Sequence, residues 1–394
     1  MTSAATRVTP TLWHGRGVAG HTIAHLIEGR KALVIVDSAI SPSIPAADPE
    51  RTMAVDARSM DATAVLAIAR EMVRRRPDVV VAVGGGTVLD ASKIAALALG
   101  SGHVFEYAIG HASASALTLL PDAPPPVDVI AVPTTLGTSS ETNSVGVLKN
   151  ESGYRLIIGR ALRPRHAIID PRNLATLTPG AVKEGAMEAL LRLAGASTSP
   201  KRSARAVRDA LALGRALLET ADRDAKSAAG RLRLARLSAA TQRCAALRAV
   251  DPYSARHWYV ANEVAFRLGI RKMIATAAVV AAVWRRICAG ERRWGDRQSL
   301  AGFWAGVAEA AALPSDPASG ISALIDRWQV PCPPRPAEAE LDRISVAIEK
   351  SWGNHRPMLH GLREQDFRDV LRDSRWGARA VDDARRPATA MGRR

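Results

Sequence analysis

The sequence predicts an α/β chain: an N-terminal Rossmann-like domain with a parallel sheet, followed by an all-α helical domain. Three observations predict it. Short Val/Ile/Ala runs alternate with amphipathic stretches up to about residue 170. One run ends in three consecutive glycines, Gly84–Gly86. From Thr178 onward the strand signals stop, and long Ala/Leu/Arg helices follow.

In chain order, residues 31–37 (KALVIVD) read as a short apolar strand ending in Asp37. Residues 62–74 carry apolar positions at helical spacing. A strand is expected over 79–83, then the glycine turn, then a helix from Asp90. Residues 112–127, rich in Ala, Ser and Pro, read as a surface loop. A strand over 128–132 (DVIAV) runs into a loop dense in hydroxyls, and a last strand over 167–170 (AIID) follows Arg155. The boundary falls near Pro179. It separates a dinucleotide-binding domain (1–179) from a helical domain (180–381) that forms the other side of an active-site cleft. Pro-rich connections join helices at 313–320 and 331–337, and the polar, basic end at 382–394 reads as a disordered tail.

The composition, 47% hydrophobic and 23% charged, is that of an ordinary globular protein. No apolar run is long enough to span a bilayer, and MTSAATRVTP lacks a signal core, so no membrane association and a cytoplasmic location are expected. Cys244, Cys288 and Cys332 lie far apart, as free thiols do in a reducing compartment. The net charge of +16 comes mostly from dispersed Arg, without a nucleic-acid signature and with only 4% aromatics. Nucleic acid is therefore not an expected partner, whereas an acidic ligand suits the surface.

Three glycines after a strand let backbone approach a pyrophosphate, and the amides of the next helix then face the phosphates. Asp37, at the end of an early strand, is placed to accept hydrogen bonds from an adenosine ribose and to repel a 2′-phosphate, which favours NAD over NADP. The same side chain could instead cap the following turn.

Residues 79–93 (VVVAVGGGTVLDASK) and 132–141 (VPTTLGTSSE) together resemble the iron-containing alcohol dehydrogenase superfamily, which includes dehydroquinate synthase-like enzymes. The resemblance runs from about Thr11 (LWHGRG) to about Trp376 and is densest from 79 to 180. It implies a nicotinamide cofactor held by Gly84, Gly85, Gly86, Thr87, Asp90 and Lys93, with Thr134, Thr135, Thr138 and Ser139 beside it. Ser139 stands where the family usually has Gly. Arg155 stands where the family has a Lys near the nicotinamide ribose.

The resemblance also implies a divalent metal on an Asp and three His. In this chain the corresponding positions are Glu188, Arg192, His257 and Arg271. A guanidinium cannot ligate a metal, so no metal is expected. Arg192 and Arg271 are instead expected to hold a substrate carboxylate, with His257 as proton acceptor and Glu188 orienting one guanidinium. A β-hydroxy acid fits such a clamp. The chain is similar in this respect to a branch of the superfamily tied to daptide-type ribosomal peptides, where oxidative decarboxylation of a C-terminal threonine is implicated. A hydroxy acid or peptide C-terminus as substrate and partner proteins from a biosynthetic operon follow from that likeness, and a homodimer stays open. Two other readings also stay open: a conventional metal-dependent alcohol or polyol dehydrogenase, and an inactive nucleotide-binding scaffold.

Overall fold

The computed structural model describes residues 9–40 and 49–378. The tail expected at 382–394 lies outside them. Among the described residues, nine strands form two sheets. The six-stranded sheet contains β1 (Thr11–His14), β2 (Ala32–Asp37), β3 (Thr52–Val55), β4 (Val79–Gly84), β6 (Asp128–Pro133) and β9 (His166–Ile169). Its order is β1-β9-β6-β4-β2-β3, with every pair parallel. A parallel sheet needs both faces covered, and two apolar clusters supply the cover. Val34, Val81, Val83, Ile130 and Ile168 pack with helix α1 (Val18–Ile27) on one face. Leu33, Ile35, Val80 and Val129 pack on the other with α2 (Ala62–Arg75), α3 (Gly86–Ala96) and α4 (Val104–Ala114).

A small second sheet, in order β5-β8-β7, joins β5 (Leu117–Leu119) to a hairpin of β7 (Val145–Asn150) and β8 (Gly153–Ile158). The expected loop at 112–127 therefore contains the end of α4 and a strand that pairs in parallel with β8. Three residues gave too little alternation to reveal it.

The helical region opens with α5 (Pro179–Ala196), capped by the Thr178 hydroxyl, and continues through α6 (Ala204–Arg223), α7 (Ala228–Arg243), α8 (His257–Leu268) and α9 (Lys272–Cys288). Four further helices, α10 (Arg297–Ala308), α11 (Pro317–Arg327), α12 (Glu338–Trp352) and α13 (Glu364–Arg372), close around a core that includes Trp284, Trp304 and Trp352. Among the described residues, no helix is long and apolar enough to cross a membrane.

Candidate functional site

Register aligns the carboxyl ends of the central strands. Val36 pairs with Val83, and Gly84 pairs with Pro133, so Asp37, the glycine turn and the start of the hydroxyl loop share one edge. The chain leaves β2 outward to β3 and returns to β4 on the other side. Such a reversal opens a crevice at the strand ends, where ligands bind in open α/β sheets.

Helix α3 starts at Gly86, four residues before Asp90, where the helix was expected. Gly85 is its extended N-cap, so Gly86 and Thr87 open the first turn with unpaired amides. Thr87 is exposed and Gly85 and Gly86 half-buried. A Cβ on Gly86 would lie 2.7 Å from Thr138 Cγ2, and one on Gly85 3.3 Å from Thr135 Cγ2. The glycine turn and the hydroxyl loop thus interlock, and the Thr134 amide donates to the Gly84 carbonyl at 2.9 Å. Asp37 is buried, and its Oδ1 accepts from the Ala39 amide at 3.1 Å. That is the turn-capping role. Among the described residues Oδ2 has no donor, which leaves it open to a ribose.

Asp90 and Lys93 have a different place from the phosphate contact expected of them. Both are buried and paired at 2.9 Å. Lys93 Nζ also donates to the Ser140 carbonyl (3.1 Å), Asn143 Oδ1 (3.0 Å) and the Val145 carbonyl (2.5 Å). Asp90 accepts from the Ser140 hydroxyl and from the Val147 amide (3.1 Å). An ammonium has three protons, and these are committed. The pair fastens α3 to the hydroxyl loop and β7.

The loop is equally fixed on its far side. Gly137 (φ +114) lies against Gly185 and Glu188 of α5 so closely that a Cβ would sit 2.8 Å from Gly185 Cα. Ser139 takes φ +53, a left-handed backbone that explains why a glycine suits this position. Its hydroxyl bridges Ser238 (2.8 Å) and Arg192 (3.2 Å). Glu141, the last residue of the quoted motif, is buried, and its pKa is pushed up to about 7 by desolvation, with Arg192 and Lys93 pulling the other way.

The second-half positions gather only in part. Glu188 carries a pKa raised by burial, opposed by Arg192 and Lys272. Arg192 donates to Ser139, Thr241 (2.9 Å) and the Gly137 carbonyl, so its guanidinium bolts α5 to the loop and to α7 rather than standing free as a carboxylate clamp. Arg271 departs further from expectation. It is the extended N-cap of α9, its side chain is 60% exposed, and it grips Glu184 bidentately at 2.7 and 3.0 Å. The next residue, Lys272, turns inward instead. Its pKa is lowered by burial, against the pull of Glu188 and Asp90. His257, 1% exposed, has its pKa lowered to about 3 by burial and by Lys272, so the imidazole is neutral and a poor base at neutral pH. Arg155 is buried on β8, in the field of Glu263 and Arg356, and its Nε lacks an acceptor.

The donor set does not suit the metal that the family resemblance implies. Arg192 and Lys272 bring cations, and Arg271 is committed to Glu184. Glu188 and His257 are the two remaining donors, too few for a stable site. Among the described residues, no three His, Cys, Asp or Glu side chains come together to hold an ion. Lys272, Glu141, Ser238 and Thr241 were not among the expected site residues. The Arg-Lys dipeptide ahead of an apolar helix was the one available signal for Lys272.

Residues 10–171 match the family model for iron-containing alcohol dehydrogenase. A phosphonoacetaldehyde reductase of Streptomyces viridochromogenes is 36% identical over 188 residues, covering 46% of this chain and 47% of that protein. The match thus spans about half the length of this curated relative. The NADH-dependent butanol dehydrogenase A of Thermotoga maritima has the same fold, with a TM-score of 0.73, 17% identity, and coverage of 92% of this chain and 96% of that one. A sulfoacetaldehyde reductase from Bifidobacterium kashiwanohense, solved with NAD+, gives a TM-score of 0.67 and 16% identity at the same coverage.

Proposed function

We propose that the chain is an NAD(H)-dependent oxidoreductase of the iron-containing alcohol dehydrogenase type. It works without a bound metal, and its substrate carries an anionic group beside the reacting alcohol or carbonyl. The observation that carries this reading is the interlocked pair of loops at the carboxyl edge, Gly84–Thr87 and 134–139, facing an interior that holds cations where a metal would be needed. Two of the similar proteins are named for phosphonoacetaldehyde and sulfoacetaldehyde, compounds with an acid group next to the aldehyde. A β-hydroxy acid belongs to the same chemical class. Oxidation of its alcohol transfers hydride to NAD+, releases a proton and leaves a β-keto acid, which loses CO₂ readily. A peptide ending in threonine is such an acid and is the substrate we place first.

In this reading the helix α3 amides and Thr87 hold the pyrophosphate, and Asp37 Oδ2 takes the ribose. Ser139, Ser238 and Arg192 fix the loop between cofactor and helical half. Incubation of purified protein and NAD+ with a threonine-ended peptide, followed by mass spectrometry, should show loss of CO₂ and two hydrogens. Elemental analysis should find no stoichiometric iron or zinc, and chelators should leave turnover intact. One metal per chain lost together with activity would restore the conventional metal-dependent enzyme. NADH binding without turnover of any hydroxy acid, with operon partners present, would leave a nucleotide-binding scaffold.

A further inference from the structure

Of the four cations Lys93, Arg192, Arg271 and Lys272, only Lys272 has no hydrogen bond or ion pair among the described residues. Arg192 gives its protons to Ser139, Thr241 and Gly137, Lys93 to Asp90 and the hydroxyl loop, and Arg271 to Glu184. Among the described residues, Lys272 Nζ makes no hydrogen bond and no ion pair; its neighbour is the Trp258 ring, 5.0 Å from Nζ to centroid. His257 packs on the same indole, with ring centroids 5.0 Å apart, and its Nε2 is fully buried and has no hydrogen-bond partner. A half-buried ammonium and an orphaned imidazole nitrogen therefore flank one tryptophan, where the first turns of α8 and α9 meet.

A half-buried ammonium held only by an indole face is poorly compensated, and a buried, orphaned ring nitrogen is costly. The indole face offsets part of the first cost and none of the second. The nearby acids do not close the gap. Asp90 is committed to Lys93, Ser140 and Val147. Glu188 faces Lys272 without reaching it, and burial favours its neutral form.

We infer that Lys272, with His257 beside it, is the anchor for an oxyanion on the substrate: a carboxylate, phosphonate or sulfonate. The inference rests on the oxidoreductase reading and adds to it the residue that selects the substrate's charge. Lys272 acts here as a fixed cation and His257 as a neutral hydrogen-bond partner.

The test uses the full chain loaded with NADH. Wild type, Lys272→Met and Lys272→Arg are titrated with 3-hydroxybutyrate, phosphonoacetate and sulfoacetate, with 2-butanol as the uncharged probe. Loss of a charge-assisted bond should weaken the preferred anion about 10- to 100-fold in the Met variant. The Arg variant should recover part of that loss, and 2-butanol and NADH should bind all three proteins alike. Equal anion affinity in wild type and Lys272→Met would overturn the anchor, as would a wild type indifferent to all three anions. Unchanged NADH affinity in the variants guards against misfolding. A wild type that binds no NADH would sink the oxidoreductase reading instead, so the two failures are distinct.

Discussion

Alanine substitutions along the glycine turn should separate stability from cofactor binding. At Gly84 the new methyl would lie 2.6 Å from Val88 Cβ and 2.9 Å from its Cγ1. Val88 is fully buried and β-branched, so it has no other rotamer to take and α3 must shift. Overpacking of this kind costs about 1–3 kcal/mol. For a chain of this length that is a fall in Tm of roughly 1–4 °C. At Gly86 the methyl would meet Thr138 Cγ2 at 2.7 Å and Oγ1 at 2.8 Å. Thr138 is half-buried and can turn, at the loss of its 3.4 Å contact with the Ser140 amide. Alanine also gains about 1 kcal/mol of helix propensity over glycine, which offsets much of the strain. Gly86→Ala should therefore melt near wild type. Its displaced hydroxyl loop should weaken NADH about 5- to 30-fold, equivalent to roughly 1–2 kcal/mol. Gly85→Ala, with 3.3 Å of clearance to Thr135, should disturb the same joint least. Thermal unfolding and NADH fluorescence titration read both quantities. A Gly86→Ala protein with wild-type NADH affinity, beside a Gly84→Ala protein with unchanged Tm, would refute the interlocking of the two loops.

Glu141 makes stability depend on pH. Its folded pKa of about 7 lies above its ordinary 4.5, so the unfolded state ionises first. Stability is then full below about pH 4.5 and declines toward pH 7, by up to about 3 kcal/mol. Urea denaturation should show Glu141→Gln gaining most of that above pH 7 and little at pH 4.5. His257 works in the opposite direction. With a folded pKa of about 3, its imidazole opposes folding progressively as pH falls below about 6.5, so His257→Gln should be the more acid-resistant protein in the same assay. Arg271→Ala removes an exposed clamp on Glu184 and should cost under about 1 kcal/mol and less than twofold in turnover; a large loss would return Arg271 to the active centre. Asp37→Ala should relax discrimination against NADP in parallel titrations, and an unchanged preference would remove Asp37 from the ribose role.

The sheet's inner strands were legible because a strand buried on both faces must be an unbroken apolar run, as in 79–83 and 128–132. The β7–β8 hairpin was not, because its turn at Glu151-Ser152 lacks the Asn-Gly type of signal. At the site, the sequence placed Asp90 and Lys93 on a helix but could not disclose that Lys93 is spent on Ser140, Asn143 and Val145 and Asp90 on Ser140 and Val147. The confusion of Arg271 with Lys272 has a similar origin. Arg271 is the extended N-cap of α9 and makes no cap bond, reaching instead to Glu184, whereas Lys272 begins the helix itself. One position decides which cation enters the interior, and residue type alone carries no trace of it. Ser139 was visible as a departure from glycine, but its bonds to Ser238 and Arg192 cross almost a hundred and about fifty residues of sequence, respectively.

The hydroxyl loop is held by α3 through Asp90 and Lys93, by α5 through Gly137 and Arg192, and by α7 through Ser238. A segment riveted on three sides cannot swing as a flap. Any motion that opens the crevice at the strand ends must therefore break several of these contacts together. A gate of that kind opens with a steep dependence on temperature, and cutting any single rivet changes its rate less than it changes its melting point.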